Sequence, residues 1–242
     1  MTPESGSARR AVRRWRLPVL LGLAVLAAGV VIALLQSTPT NFLDPNDTGP
    51  SGGHALADLM AARGQRVIRT QAPENGRPGD MELVTSQGDL TSAQLAAAGR
   101  FAGDILVVGP TPAALRAIAP KVVTTGVDTS ATVLPPLCGD ESANLAGNAY
   151  VGGAVLASDA RAARSCYPVD GGDLLVEYEG GARTIDVLGS GDPLTNQYLA
   201  TDGDAALALN LLRQARAVVW VVPSPAAGAQ ATATGQRTFT SL

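Results

Sequence analysis

Histidine and cysteine are nearly missing from these 242 residues, which hold one imidazole and two thiols. A zinc cage would have to draw most of its ligands from carboxylates, so no structural metal is expected, and no motif calls for a cofactor. Two cysteines are also too few to build a disulfide-dense miniprotein. Charged residues make up only 16% and hydrophobic ones 46%, which excludes a disordered chain and fits one or two domains. A net charge of −3 provides no general attraction for nucleic acid. No G-x-S-x-G occurs, and no cysteine follows a strand as a nucleophile elbow, so the ordinary hydrolase signatures are lacking.

The small net charge hides a division. Residues 1–16 carry five arginines (Arg9, Arg10, Arg13, Arg14, Arg16) against Glu4, a basic tail of +4. The rest of the chain has 13 basic and 20 acidic side chains. Between them, residues 17–35 run LPVLLGLAVLAAGVVIALL without a charge. As a helix that segment covers roughly 28 Å, close to the hydrocarbon thickness of a bilayer. The run predicts a transmembrane helix in contact with lipid, and the arginine flank predicts a cytoplasmic N-terminus with the main domain extracytoplasmic. It is longer than a signal-peptide core, and the following Leu34-Leu35-Gln36-Ser37 offers no small-x-small cleavage site, so an uncleaved anchor is expected. Cys138 and Cys166 then fall outside the cell, where a disulfide between them is favoured over two free thiols. Such a bridge would contribute about 3–4 kcal/mol in the chain-entropy picture.

Residues 36–50 read as a polar, proline-bearing stalk, and residues 51–223 as an α/β domain with a largely parallel sheet flanked by helices. Ser51 is placed to cap a helix carrying Leu56, Leu59 and Met60, with Gly64 as its stop. Strands are expected at Val67-Ile68 and over 82–86. Thr91-Ser92-Ala93-Gln94 reads as a capping box. The apolar run 105–108 reads as a strand covered on both faces, and Thr111-Pro112 opens a further helix. Residues 126–172, rich in glycine and proline, predict an irregular excursion with one strand near 150–156. Gly180-Gly181 predicts an inserted antiparallel hairpin with a two-residue loop, pairing Val176 with Ile185, Leu174 with Val187 and Glu177 with Thr184. A helix over 204–214 and a buried strand over 217–222 complete the domain, and residues 224–242 read as a linker or tail.

The polar candidates are few. Gly189-Ser190-Gly191-Asp192-Pro193-Leu194 begins like a dinucleotide fingerprint, but Leu194 replaces its third glycine. Asp192 is expected to cap the next helix, occupying the positive end a phosphate would need. Asp44-Pro45-Asn46-Asp47-Thr48-Gly49 begins like a calcium loop, yet the twelfth position is Ala55 rather than glutamate, so a turn is expected. His54 lies opposite Leu56, Leu59 and Met60 on the helical wheel, beside Asp58, and reads as a solvated or stalk-contacting side chain. Asp140-Glu141 and the Glu177/Glu179 pair read as solvated charge. If a ligand or partner cleft exists, it is expected beyond the carboxyl ends of the parallel strands, where Asp192, Thr195 and Asn196 are the nearest polar residues.

Taken in order, the arginine-flanked anchor, Leu43-Asp44-Pro45, Gly49-Pro50-Ser51-Gly52, Ala55-Leu56-Ala57-Asp58-Leu59, Val107-Val108-Gly109-Pro110, the cysteine pair, Val187-Leu188-Gly189-Ser190, Leu194-Thr195-Asn196, the 205–210 stretch and Val218-Val219-Trp220-Val221-Val222-Pro223 resemble domain-of-unknown-function family 4350 in its actinobacterial form. The resemblance implies a class I glutamine amidotransferase-like α/β fold and a gene neighbourhood with MoxR-type ATPases, hence assembly or maturation of envelope proteins. It carries over no catalytic residue, because the strand-end turn lacks the amidotransferase-like cysteine. It also implies a second membrane span after a stretch like Thr240-Ser241-Leu242. The function expected is therefore a membrane-anchored, non-catalytic module that binds envelope protein partners or a small ligand. The alternative is a hydrolase or transferase that uses His54.

Overall fold

The computed structural model describes residues 42–85, 87–212 and 215–223. All of these residues fall in one unit of the chain, Asn41–Leu242. The expected basic tail (1–16), transmembrane helix (17–35) and linker (224–242) lie outside the described residues. Among those described, no helix is long and apolar enough to cross a membrane.

The described part of the Asn41–Leu242 unit is a mixed α/β sheet with helices on both faces. Its strands are β1 (Arg66–Thr70), β2 (Met81–Val84), β3 (Asp104–Val108), β4 (Val122–Leu134), β5 (Ala149–Ser158), β6 (Arg164–Val169), β7 (Gly172–Glu179), β8 (Thr184–Leu188) and β9 (Ala217–Val221). The helices are α1 (His54–Ala62), α2 (Ser92–Ala98), α3 (Pro112–Ile118), α4 (Glu141–Ala146) and α5 (Asp204–Leu211). The order across the sheet is β1-β9-β2-β3-β8-β7-β5-β4, with β6 paired to β7. The first five strands are mutually parallel, and the rest are antiparallel.

Period-two alternation sorts the central strands between two cores. Leu83, Leu106, Val218 and Trp220 face α1, α4 and α5 through Leu56, Met60, Ala143, Leu207 and Leu211. Val84, Ile105, Val107, Val219 and Val221 face α2 and α3 through Leu95, Ala98, Ala114 and Ile118. A third cluster (Leu115, Val122, Leu156, Val176, Ile185, Val187) lies against the antiparallel part. Each fully buried Leu or Val removes enough apolar surface from water for about 1.5–3 kcal/mol. The expected caps of two helices are present. The Thr91 hydroxyl accepts from the Gln94 N–H while the Gln94 side chain accepts from the Thr91 N–H, and Thr111 accepts from the Ala114 N–H ahead of Pro112.

Several expectations are corrected. Residues 42–50 are not a free stalk, because Leu43 is fully buried and Asp44 nearly so. The first helix is capped at Gly53 rather than Ser51, with no capping side chain of its own. The stretch expected to be irregular contains β4, α4, β5 and β6. β4 gave no alternation because it is a largely exposed edge strand, with register breaks at Thr124/Gly126 and Asp128/Thr132. The hairpin forms, but its register is moved by two residues: Val176 pairs with Val187, Glu177 with Asp186 and Glu179 with Thr184. A shift of two keeps every side chain on its expected face. The loop is four residues long, closed by the Gly180 N–H donating to the Arg183 carbonyl. Contacts outside the hairpin hold it there: the Thr184 N–H donates to Asp104 Oδ1, and the Arg183 guanidinium donates to the Gly99 and Phe101 carbonyls.

Glu82, in the middle of the parallel sheet, is fully buried, and among the described residues neither carboxylate oxygen has a hydrogen-bond partner. Burial pushes its pKa from 4.5 up to about 8. Between those values the unfolded chain releases a proton that the folded chain keeps, so stability falls as pH rises from about 4.5 to about 8. Burial of Asp204, which moves from 3.8 to about 7, acts in the same direction over a lower window. The melting temperature should accordingly decline from mildly acidic to mildly alkaline pH. Glu82→Gln should flatten the upper part of that decline, and an unchanged pH profile in this variant would contradict the assignment.

Candidate functional site

At the carboxyl end of β8, beside the place where a ligand cleft was expected, the protein's own chain packs closely. β5 crosses directly over the end of β8. A Cβ at Gly189 would lie 2.4 Å from the Ala154 carbonyl oxygen, and one at Gly153, whose φ is +88°, 2.4 Å from the Gly189 oxygen. At Gly191 a Cβ would meet Phe42 and Leu43. The glycines of the apparent fingerprint thus serve close packing rather than phosphate binding. Asp192 does not cap as expected: it begins a 3-10 turn (Asp192–Leu194) whose N-cap is Gly191, without a side-chain cap.

Thr195 is buried, and its hydroxyl donates to the Asp192 carbonyl at 2.7 Å. Asn196 is fully engaged. Its Nδ2 donates to the carbonyls of Asp47 (2.9 Å) and Gly49 (2.7 Å), while its Oδ1 accepts from the Ala55 N–H (2.8 Å). The missing cap of α1 is therefore supplied from 141 residues further along the chain. Of the three expected cleft residues, Asn196 holds the 44–53 loop to α1, Thr195 bonds within its own turn, and Asp192 remains half-buried.

The calcium-like segment is a turn. Asp44 takes a bidentate hold on Arg69, at 2.8 and 2.7 Å, and also accepts from the Asn46 N–H; Asp47 accepts from the Gly49 N–H. His54 Nδ1 lies 3.0 Å from the Pro45 carbonyl, which can only accept, so this nitrogen carries the proton. Its Nε2 is 3.5 Å from Asp58. Among the described residues, the hydrogen bonds and ion pairs of His54 include no hydroxyl or thiol. Beside this edge lies a cluster that sequence reasoning missed. Tyr150 and Tyr198 are stacked with centroids 4.3 Å apart. The Tyr150 N–H donates to Asp204 Oδ1, while the buried Asp204 Oδ2 has no hydrogen-bond partner among the described residues.

A concavity lies at the opposite edge, where the parallel strands begin. It is a cavity of about 970 Å³ between the end of α1, α4, the end of α5 and strands β6 and β7. Arg164, on β6, forms its floor, 2.5 Å from Glu177 Oε1 and 3.5 Å from Asp140 Oδ2. Both acids are almost fully buried, so the guanidinium offsets charges that water cannot reach. Asp140 also caps α4 by accepting from the Ala143 N–H. The Cys138–Cys166 disulfide ties the loop before α4 to β6, two residues from Arg164. Asn210 on α5 donates to the Ser142 carbonyl, joining the other wall. Leu145 on the rim is 70% exposed, and Leu137, in the loop leading to α4, is 73% exposed. Arg63 and Arg216 also line the cavity.

The cysteine pair was the clearest sequence signal for this place. Asp140-Glu141 had read as solvated charge, yet Asp140 is buried; Arg164 stands out only once folding brings Glu177 to it. The arrangement can bind charged and apolar groups together. Among the described residues, no group of three or more His, Cys, Asp or Glu is placed to hold a metal ion.

A family model described as Domain of unknown function (DUF4350) matches residues 45–212. "Uncharacterized membrane protein Rv3691" of Mycobacterium tuberculosis is 33% identical over 220 residues, which cover 87% of this chain and 56% of that protein. The chain thus spans about half the length of that relative. Among solved structures, the mmIFT52 N-terminal domain aligns with 69% of this chain and 92% of its own, at a TM-score of 0.40 and 14% identity.

Asn196→Ala would orphan the Ala55 amide and two loop carbonyls. A loss of about 2–3 kcal/mol in unfolding free energy is expected, with faster hydrogen exchange confined to the first turn of α1. Wild-type exchange there would show that the clasp does not order the helix.

Proposed function

The chain belongs to the DUF4350 family, and on that premise we propose that it is a membrane-anchored, extracytoplasmic, non-catalytic module that binds a protein partner. The observation that carries the reading is the basin at the amino ends of the parallel strands. It is a large cavity with a charged interior and an exposed leucine on its rim, and its wall is held by a disulfide and a buried ion pair. Exposed apolar side chains around a polar recess are what a docking surface for another protein presents. The anchor and its orientation rest on the apolar segment 17–35 and its arginine flank, supported by the membrane-protein name of the relative and by the disulfide.

Kinship with class I glutamine amidotransferase-like domains, and a role in envelope protein assembly alongside a MoxR-type ATPase, rest on the resemblance given by the ordered sequence motifs. The rival reading, a hydrolase or transferase using His54, draws no support from that residue's contacts with Pro45 and Asp58.

A photo-reactive residue in place of Leu145 on the basin rim should cross-link one discrete protein in intact membranes. The same residue in place of Val127, which is 69% exposed on β4, serves as the control. Equal background from both positions would overturn the docking site. Topology is tested separately with Val127→Cys. A membrane-impermeant maleimide should label that thiol in intact cells, and labelling only after lysis would overturn the extracytoplasmic placement.

A further inference from the structure

Residues 42–223 carry 12 basic and 20 acidic side chains, so a recess lined by a cation and no acid runs against the balance of the domain. The basin is not such a recess, nor is a cavity of about 380 Å³ beside β1. Each mixes arginines with carboxylates: Asp140, Glu141 and Glu177 in the first, Glu74 and Asp80 in the second. A groove of about 480 Å³ between α3 and the start of β4 is one. Pro112 and Leu115 of α3 line one side, Val122 and Val123 of β4 the other, and Pro120 lies in the turn that joins them. Arg116 is the one charged residue of the lining, and Thr124 adds a hydroxyl. Arg116 is exposed and makes no ion pair among the described residues, whereas Lys121 beside the groove is already 3.6 Å from Asp159. Val123 is 58% exposed, apolar surface that folding leaves in water. The walls are held from behind. Leu115 and Val122 are buried in one cluster with Leu156, Tyr178 and Ile185, and Thr111 caps α3 through the Ala114 N–H. The groove is therefore formed before anything enters it.

We propose that this groove binds a free fatty acid, with the hydrocarbon chain along the proline, leucine and valine walls and the carboxylate on Arg116. Apolar walls with one polar anchor suit an amphiphile, and the absence of an acid in the lining makes that amphiphile an anion. A guanidinium grips a carboxylate through paired, directional hydrogen bonds. One guanidinium balances the single charge of a carboxylate, while a phosphate monoester carries about two at neutral pH. One helix and one strand frame a single channel, which fits one hydrocarbon chain and not the two of a diacyl lipid. The site shares no residue with the basin and does not depend on the docking reading.

The test uses the full chain in phosphatidylcholine nanodiscs and a dodecanoate with a photo-reactive diazirine at the end of its tail. Labelled residues are mapped by mass spectrometry, with label on the apolar segment 17–35 as the internal standard. Label should concentrate on residues 112–124 and be displaced by unmodified dodecanoate but not by dodecylamine. Arg116→Ala should cut it about tenfold, the loss of a charge-assisted hydrogen bond, and Arg116→Lys should restore part of it. Val123→Asp, at an exposed position, should cut it as strongly by setting an acid against the ligand. Arg100→Ala, outside the groove, should leave it unchanged. The proposal is overturned if residues 112–124 carry no more label than the rest of the domain, if dodecylamine competes equally, or if Arg116→Ala or Val123→Asp labels like wild type. Loss of the groove label in phosphatidylglycerol discs would overturn it in favour of a phospholipid. A photo-reactive residue at Val123 that cross-links a protein in intact membranes would overturn it in favour of a protein partner.

Discussion

Where β5 passes over the end of β8, two backbones approach so closely that neither Gly153 nor Gly189 leaves room for a Cβ. The crossing is secured by the Ala154 N–H donating to the Gly189 carbonyl and the Gly189 N–H donating to the Leu174 carbonyl. Much follows from it. The long excursion between β3 and β8 is brought back onto the sheet, which sets β5 against β7 and brings α4 against α5. It also covers the carboxyl end of β8, on the side where open α/β sheets ordinarily bind ligands. The 44–53 loop, clasped by Asn196, packs on the same side. The basin opens at the other end of the strands.

At that other end, electrostatics does the organising. Asp140 and Glu177 belong to elements far apart in sequence, and both are buried. Arg164 is the cation between them, and the disulfide two residues away limits how far the α4 loop can move from β6. One guanidinium here stands between two buried carboxylates, whereas Arg63, Arg66, Arg77 and Arg216 make no ion pair among the described residues. The same residue type therefore stands in two settings: beside buried carboxylates, where it holds elements together, and exposed at the amino edge.

Much of the fold was legible from local chemistry. The capping box at Thr91 and Gln94, the proline after Thr111 and the apolar runs of β3 and β9 announced themselves because each depends on neighbours within a few residues. The hairpin's faces were legible, but its exact register was not, because the loop chemistry of Gly180-Gly181 was outweighed by Arg183 and Asp104 reaching across the domain. β4 was hidden because an exposed edge strand with two register breaks has no buried face to impose alternation. The candidate site was read least well. Asp192, Thr195 and Asn196 were chosen by a rule about sheet edges, and the chain itself packs closely beside them.

By itself, the order of residues determined a basic and apolar N-terminal segment, an α/β domain with strands of recognisable burial, and a cysteine pair suited to oxidation. These follow from composition and from periods of two and 3.6, which need no knowledge of distant partners. Only tertiary structure decided where the basin opens, which acids are buried against Arg164, and which arginines make no ion pair among the described residues. Those outcomes depend on close approaches between segments separated by tens of residues, and no local pattern records them.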